Sequence, residues 1–240
     1  MNTINYGTRA KLGMLLPSSN LAAEPQFHAM LPMGVSLHVT RLKLAGNSEK
    51  DLLGMTARVE EASELVADSG ADLIVFHCTA VSTFSAELEQ SIKERVARAS
   101  GKPATATSEA IVAAFHTLGA RRIVMLSPYV DAINARESAF FRSAGFEILA
   151  CAGLGLSGAN TMMGVAPERW LDFARSHRDD RADAYLISCT TVRSADVAEK
   201  LERDLGRPVL TSNTATAWHC LRKMGIEDRV EGFGCLLAQR

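Results

Sequence analysis

No stretch of this sequence approaches the roughly 18 consecutive apolar residues that a membrane-spanning helix needs. The polar opening, residues 1–11, also lacks an apolar signal core, so a cytoplasmic protein without membrane contact is expected. Charge of one sign is missing as well: the formal net charge is −1, which argues against nucleic acid as a partner. The cysteine count is low and odd, five in all, with no Cys-x-x-Cys or His-x-x-x-His spacing. That excludes the common structural zinc patterns and favours reduced thiols. There is no Walker-type phosphate loop, no linker and no low-complexity segment. Nothing in the sequence calls for a metal or an organic cofactor.

What is present is a phrase written twice. Ala71-Asp72 opens an apolar run that ends in His77-Cys78-Thr79, and Ala182-Asp183 opens another that ends in Ser188-Cys189-Thr190. Upstream, Met14-Leu15-Leu16-Pro17 is echoed by Met125-Leu126-Ser127-Pro128, and both prolines precede their cysteine by 61 residues (78 − 17 and 189 − 128). Downstream, Gly101-Lys102-Pro103 and Gly206-Arg207-Pro208 each open a strand-like segment. Landmarks in one order predict two copies of one α/β unit.

Hydrophobic spacing fills in the units. Strands are expected over 11–16, 35–42, 73–77, 103–107, 122–126, 146–150, 185–188 and 209–212. Helices are expected over about 22–30, 51–68, 88–100, 108–118, 131–144, 195–205 and 215–224, and one opening at Pro167, with residues 153–164 as a Gly-rich loop containing Asn160. Such alternation implies parallel sheets covered on both faces: a Rossmann-like α/β fold of two pseudo-symmetric units with the site in the cleft between them. The first unit spans 1–119 and the second 120–213, with about 214–240 packing back on the first.

Ligands of open α/β sheets bind beyond the carboxyl ends of the strands. Five ends here carry polar side chains: Pro17 to Asn20, Cys78 to Ser82, Pro128 to Asp131, Asn160 with its loop, and Cys189 to Arg193. Two units facing each other would bring Cys78 and Cys189 to one small molecule from opposite sides. A thiol at its ordinary pKa of about 8.5 is only a few per cent thiolate at pH 7. A helix starting after each cysteine would lower that pKa and offer amides to a carboxylate. Cys151, Cys220 and Cys235 lack this context and read as packing residues. His77, next to Cys78 on a strand, points the other way and reads as support. His219 reads as structural, Glu24 as a first-turn helix acid, and Arg193 as either a carboxylate partner or a solvated charge. Asn20 suits either substrate contact or a helix cap. Tyr129, after Pro128, is placed to turn its hydroxyl into the site.

Pro17-Ser18-Ser19-Asn20, the two cysteines at strand ends, Pro128-Tyr129 and Asn160 together resemble the aspartate/glutamate racemase superfamily, nearest its maleate cis-trans isomerase and arylmalonate decarboxylase branch, over essentially the whole chain. The resemblance implies Cys78 as the nucleophile, Cys189 as its acid/base partner, and Asn20, Tyr129 and Asn160 as holders of substrate carboxylates. Pro17, Ser18, Thr79, Ala80, Thr190 and Thr191 complete the expected substrate contacts. It also implies a homo-oligomer, dimer or tetramer. Arylmalonate decarboxylases lack the first cysteine, which Cys78 supplies here. Amino-acid racemases follow a catalytic cysteine with Asn-Thr, where this chain has Thr79 and Thr190. Maleate isomerases read Asn-Thr-Thr where this chain reads Asn20-Leu21-Ala22. The expected activity is cofactor-independent isomerisation of a small carboxylate, maleate to fumarate first. The rivals are a two-base racemase or epimerase, a decarboxylase using Cys189 alone, and a non-catalytic binding protein.

Overall fold

The structure, a computed structural model, describes residues 4–46 and 48–239; the first three residues of the polar opening lie outside it. The first unit runs β1 (Ala10–Pro17), α1 (Ala23–Met30), β2 (Val35–Leu42), α2 (Glu49–Gly54), α3 (Val59–Ala67), β3 (Leu73–Phe76), α4 (Thr79–Ser82), α5 (Ala86–Ser100), β4 (Ala104–Ala106) and α6 (Thr107–Thr117). The second runs β5 (Arg122–Ser127), α7 (Asp131–Ser143), β6 (Glu147–Gly153), α8 (Ala159–Met163), α9 (Pro167–Ser176), β7 (Ala184–Ile187), α10 (Ala198–Leu205), β8 (Val209–Thr211), α11 (Ser212–Lys223) and α12 (Cys235–Ala238). Each forms a four-stranded parallel sheet, ordered β2-β1-β3-β4 and β6-β5-β7-β8. This is the expected duplicated α/β fold.

The repeated residues do repeated jobs. The Asp72 carboxylate accepts the Lys11 amide at 2.8 Å, and its own amide donates to the Lys11 carbonyl. Asp183 does the same with Arg122, again at 2.8 Å. Each aspartate therefore pins the start of a central strand to its neighbour. Gly101 and Gly206 end α5 and α10 in the left-handed conformation, φ 66° and 65°, which only glycine enters freely. The prolines two residues on offer carbonyls to the second residues of β3 and β7: Pro103 to the Ile74 amide at 3.0 Å and Pro208 to the Tyr185 amide at 2.9 Å.

Three expectations on elements need correcting. The helix expected over 51–68 is broken by a 3₁₀ turn at Met55–Arg58; Gly54 weakens it and the Thr56 hydroxyl bonds back to the Leu53 carbonyl. The Gly-rich loop contains the short helix α8. The cap of α11 is Thr211, which forms a capping box with Thr214, so α11 begins earlier than hydropathy suggests. That helix leaves the second sheet and packs on α6 and α1 of the first unit. The buried apolar side chains form two clusters, each drawing on both sheets. Among the described residues no helix is long and apolar enough to cross a membrane.

The paired aspartates give a direct test of the repeat. Asp72→Ala and Asp183→Ala should each lower unfolding free energy by about 1 kcal/mol. The Asn variants, which keep an acceptor oxygen, should lose less; urea unfolding of the four proteins measures it.

Candidate active site

Both sheets end at one cavity of about 40 Å³. Cys78 and Cys189 line it together, with Pro17, Ser19, Ala80, Tyr129, Thr190 and Thr191, under an apolar wall of Leu44, Leu52, Ile133, Ala159 and Met162. No lining side chain is cationic; the polar atoms are hydroxyls, thiols and amides. At about 10–15 Å³ of such space per water, the cavity takes about three waters.

The two cysteines, alike in sequence, sit on unlike backbone. Cys78 is extended, φ −153°, and α4 starts directly after it; the amides of Ala80 and Val81 point at its sulfur. Cys189 has φ +107°, unique among the described non-glycine residues, a conformation costing about 1–3 kcal/mol. No helix follows it: residues 190–194 form an open turn before a 3₁₀ turn at Ala195–Val197. Its sulfur instead accepts the Thr191 amide at 3.3 Å.

The first residues of α11 tie both cysteine segments together. The Ser212 hydroxyl oxygen accepts from the Cys189 amide at 3.1 Å and from the Thr79 hydroxyl at 2.8 Å. Asn213 accepts from His77 Nε2 at 2.8 Å and donates to the Gln26 side chain and the Thr190 carbonyl. Gln26 in turn donates to the Val192 carbonyl at 2.8 Å, so each amide in this chain has one consistent orientation. His77 therefore carries its proton on Nε2, leaving Nδ1 to accept from Thr107 at 2.9 Å. Full burial holds its pKa down to about 4, and it stays neutral. It supports the strand end, as expected.

Several expected contacts are reassigned. Asn20 does not line the cavity: its oxygen accepts the Ala22 and Ala23 amides at 3.0 and 2.9 Å, and its amide donates to the Thr190 hydroxyl at 2.9 Å. Those bonds engage its oxygen and one of its two amide hydrogens. Ser18 accepts the Leu44 amide, and Ser19 takes its place in the wall. The Thr79 side chain turns to Ser212. Asn160 is exposed on α8, whose Ala159 and Met162 face the cavity instead. Arg193 is exposed outside the cavity, and Glu24 pairs with Arg41, which also holds the Asn20 carbonyl at 2.8 Å. His219 bonds Thr105 and Glu109 away from the site. Pro17, Ala80, Tyr129, Thr190 and Thr191 do line it.

Residues 153–158 carry a Gly-x-Gly-x-x-Gly spacing, and contacts explain it without a dinucleotide. A Cβ on Gly153 would stand 2.2 Å from the Tyr129 carbonyl oxygen, and the Gly155 amide donates to that oxygen at 3.2 Å. The glycines thus let β6 close over the Tyr129 turn. Sequence reading also missed Glu137, which is wholly buried beneath the site and accepts the Ser188 hydroxyl at 2.6 Å. Its position one helical turn after Ile133 was the available signal. Burial raises its pKa to about 7.

The amides at the start of α4 lower the Cys78 thiol, but burial outweighs them. Burial pushes Cys78 up to about 12, although the Val81 and Ala80 amides oppose it. Cys189 rises to about 11 for the same reason, opposed by the Tyr129 hydroxyl and the Thr191 amide.

Duplicated parallel sheets with a cysteine at the same strand end of each place the protein in the aspartate/glutamate racemase-like superfamily. Within it, the profile of the arylmalonate decarboxylase family matches residues 12–237, and the chain belongs to that family. It is 29% identical to maleate isomerase of Nocardia farcinica over 241 residues, 95% of this chain and 96% of that protein. Among solved structures it resembles maleate isomerase Iso from Pseudomonas putida S16, a cysteine-to-alanine variant with maleate (TM-score 0.92, 20% identity, 96% of this chain and 98% of that one). It also resembles a Nocardia farcinica maleate cis-trans isomerase mutant with a covalently bound succinylcysteine intermediate (TM-score 0.91, 25% identity, 96% and 99%).

Raised thiol pKa values set a pH dependence. The neutral thiol is favoured below the raised value, so the thiolate fraction should grow tenfold per pH unit from 7 to 10. Iodoacetamide labelling of Cys78, followed by peptide mass mapping, should rise with unit slope and show no plateau in that range.

Proposed function

We propose that this protein is a cofactor-independent maleate cis-trans isomerase in which Cys78 is the nucleophile and Cys189 the acid/base partner. The observation that carries the reading is that both sulfurs line one cavity of about 40 Å³. The small volume and the apolar wall of Leu44, Leu52 and Met162 suit a small acid. The family relatives named maleate isomerase support the same substrate.

For the addition step the pair is one proton short, and in the reacting microstate Cys78 is the thiolate and Cys189 the thiol. The Cys78 sulfur pair forms a bond to one alkene carbon while the alkene electrons take the Cys189 proton at the other, leaving Cys189 as thiolate. The former double bond is now single and rotates. Cys189 then removes a proton from the carbon it protonated, the carbon–sulfur bond breaks, and fumarate leaves with Cys78 again a thiolate. Hydroxyls of Ser19, Tyr129, Thr190 and Thr191 and the Ala80 amide are the neutral donors for the carboxylates. Pro17 shapes the wall. A cytoplasmic homo-oligomer, dimer or tetramer, is part of the same proposal.

Proton NMR of the protein with maleate should show fumarate appearing without any added cofactor. Cys78→Ala should reduce turnover by about a thousandfold or more, and Cys189→Ser should slow it while leaving a succinyl adduct on Cys78 visible by intact mass. Full turnover by Cys78→Ala would end the addition mechanism.

A further inference from the structure

Each cysteine is preceded by a residue whose side chain is buried and tied down. Before Cys78 it is His77, held between Thr107 and Asn213. Before Cys189 it is Ser188, whose hydroxyl donates to Glu137 at 2.6 Å. The second tie is the unusual one, because it places a carboxyl group of zero exposure in an otherwise apolar and hydroxyl-lined region. One oxygen of that carboxyl, Oε1, has no hydrogen-bond partner among the described residues. The nearby Thr83 hydroxyl has already given its proton to the Thr79 carbonyl at 2.7 Å. Arg136, the charged neighbour, directs its guanidinium to the Ala80 carbonyl and the Phe84 ring instead. A group so poorly served by its surroundings is rarely kept for packing alone.

The consequence falls on Cys189. Its φ of +107° is the strained position of the chain, and such a conformation persists only where its neighbours over-determine it. Two bonds do so: the Cys189 amide to Ser212 at 3.1 Å from one side, and Ser188 to Glu137 from the other. We propose that Glu137 is a positioning residue for Cys189, holding through Ser188 the left-handed turn that aims the sulfur into the cavity and under the Thr191 amide. The inference rests on the reading of Cys189 as a working group. The carboxyl oxygen accepts from Ser188 whether or not Glu137 carries its proton, so an amide oxygen at the same place should serve.

Three variants test this: Glu137→Leu, which removes the acceptor at similar size; Glu137→Gln, which keeps it; and Ser188→Ala, which removes the same bond from the other end and spares the core. Iodoacetamide labelling at pH 8 without substrate is read separately at Cys189 and Cys78 by peptide mass mapping, beside kcat and KM with maleate. Ser188→Ala should slow Cys189 labelling about tenfold, the effect of losing the Thr191 amide bond to a charged sulfur, with Cys78 labelling within about twofold of the parent. Glu137→Leu and Glu137→Gln both remove a carboxyl that raises the two thiols, so they are compared with each other: the Leu variant should label Cys189 about tenfold more slowly than the Gln variant, which keeps the acceptor. The turnover loss should appear in kcat with little change in KM, and the Leu/Ala double variant should be no slower than either single one. Unchanged Cys189 labelling in Ser188→Ala overturns the proposal, as does equal slowing of both sulfurs. A Gln variant as impaired as the Leu one overturns it too. Labelling needs no substrate, so an inactive protein with the expected labelling pattern counts against maleate and not against Glu137.

Discussion

Two adjacent side chains, Ser212 and Asn213, hold the site in its shape. They stand at the start of α11, the helix that leaves the second sheet to pack on the first unit, and each reaches both cysteine segments. Ser212 joins Thr79 to the Cys189 amide, and Asn213 joins His77 to the turn after Cys189. All of these groups are buried, so each bond left unmade would strand a polar group without water at a cost of about 1–3 kcal/mol. The relative placement of the two sulfurs is thus set by a crossing helix, and not by either sheet alone.

Within that frame the two halves are no longer equivalent. The same strand-end cysteine is extended with a helical turn behind it in one unit, and left-handed with an open turn behind it in the other. Burial raises both thiols, and the donors that oppose it differ: backbone amides at Cys78, a phenol and the Thr191 amide at Cys189. A duplicated scaffold can in this way supply two chemically distinct sulfurs, which a reaction that adds at one carbon and exchanges a proton at its neighbour requires.

Much of the fold was legible because it repeats. The Ala-Asp and Gly-x-Pro echoes predicted two matching units, and each echo proved to be one hydrogen-bonding device used twice. The cavity-lining residues at strand ends, Pro17, Cys78, Ala80, Tyr129, Cys189, Thr190 and Thr191, followed from the rule that α/β sheets bind ligands at their carboxyl ends. What stayed hidden depends on partners remote in sequence. The Asn20 oxygen serves the first amides at α1 and its amide the Thr190 hydroxyl, 170 residues away. Asn160 was placed by motif, but the turn of α8 directs Ala159 and Met162 inward. The thiol pKa values could not be read from the Cys-Thr pairs, because burial and not the following residues decides them. Glu137 left only a faint sign, an acid one turn along the same helix face as Ile133.

The apolar wall has its own consequence for selectivity. Leu44, Leu52, Ile133 and Met162 bound a space of about 40 Å³, and Leu52, Ile133 and Met162 belong to the buried core, so a bulkier acid must push against side chains embedded in packing. An extra methylene in such a pocket is worth about 1–3 kcal/mol, or roughly ten- to two-hundredfold. Recognition here would then work as a steric sieve: the hydroxyls and amides accept many carboxylates, and the hydrocarbon ceiling rejects those that branch.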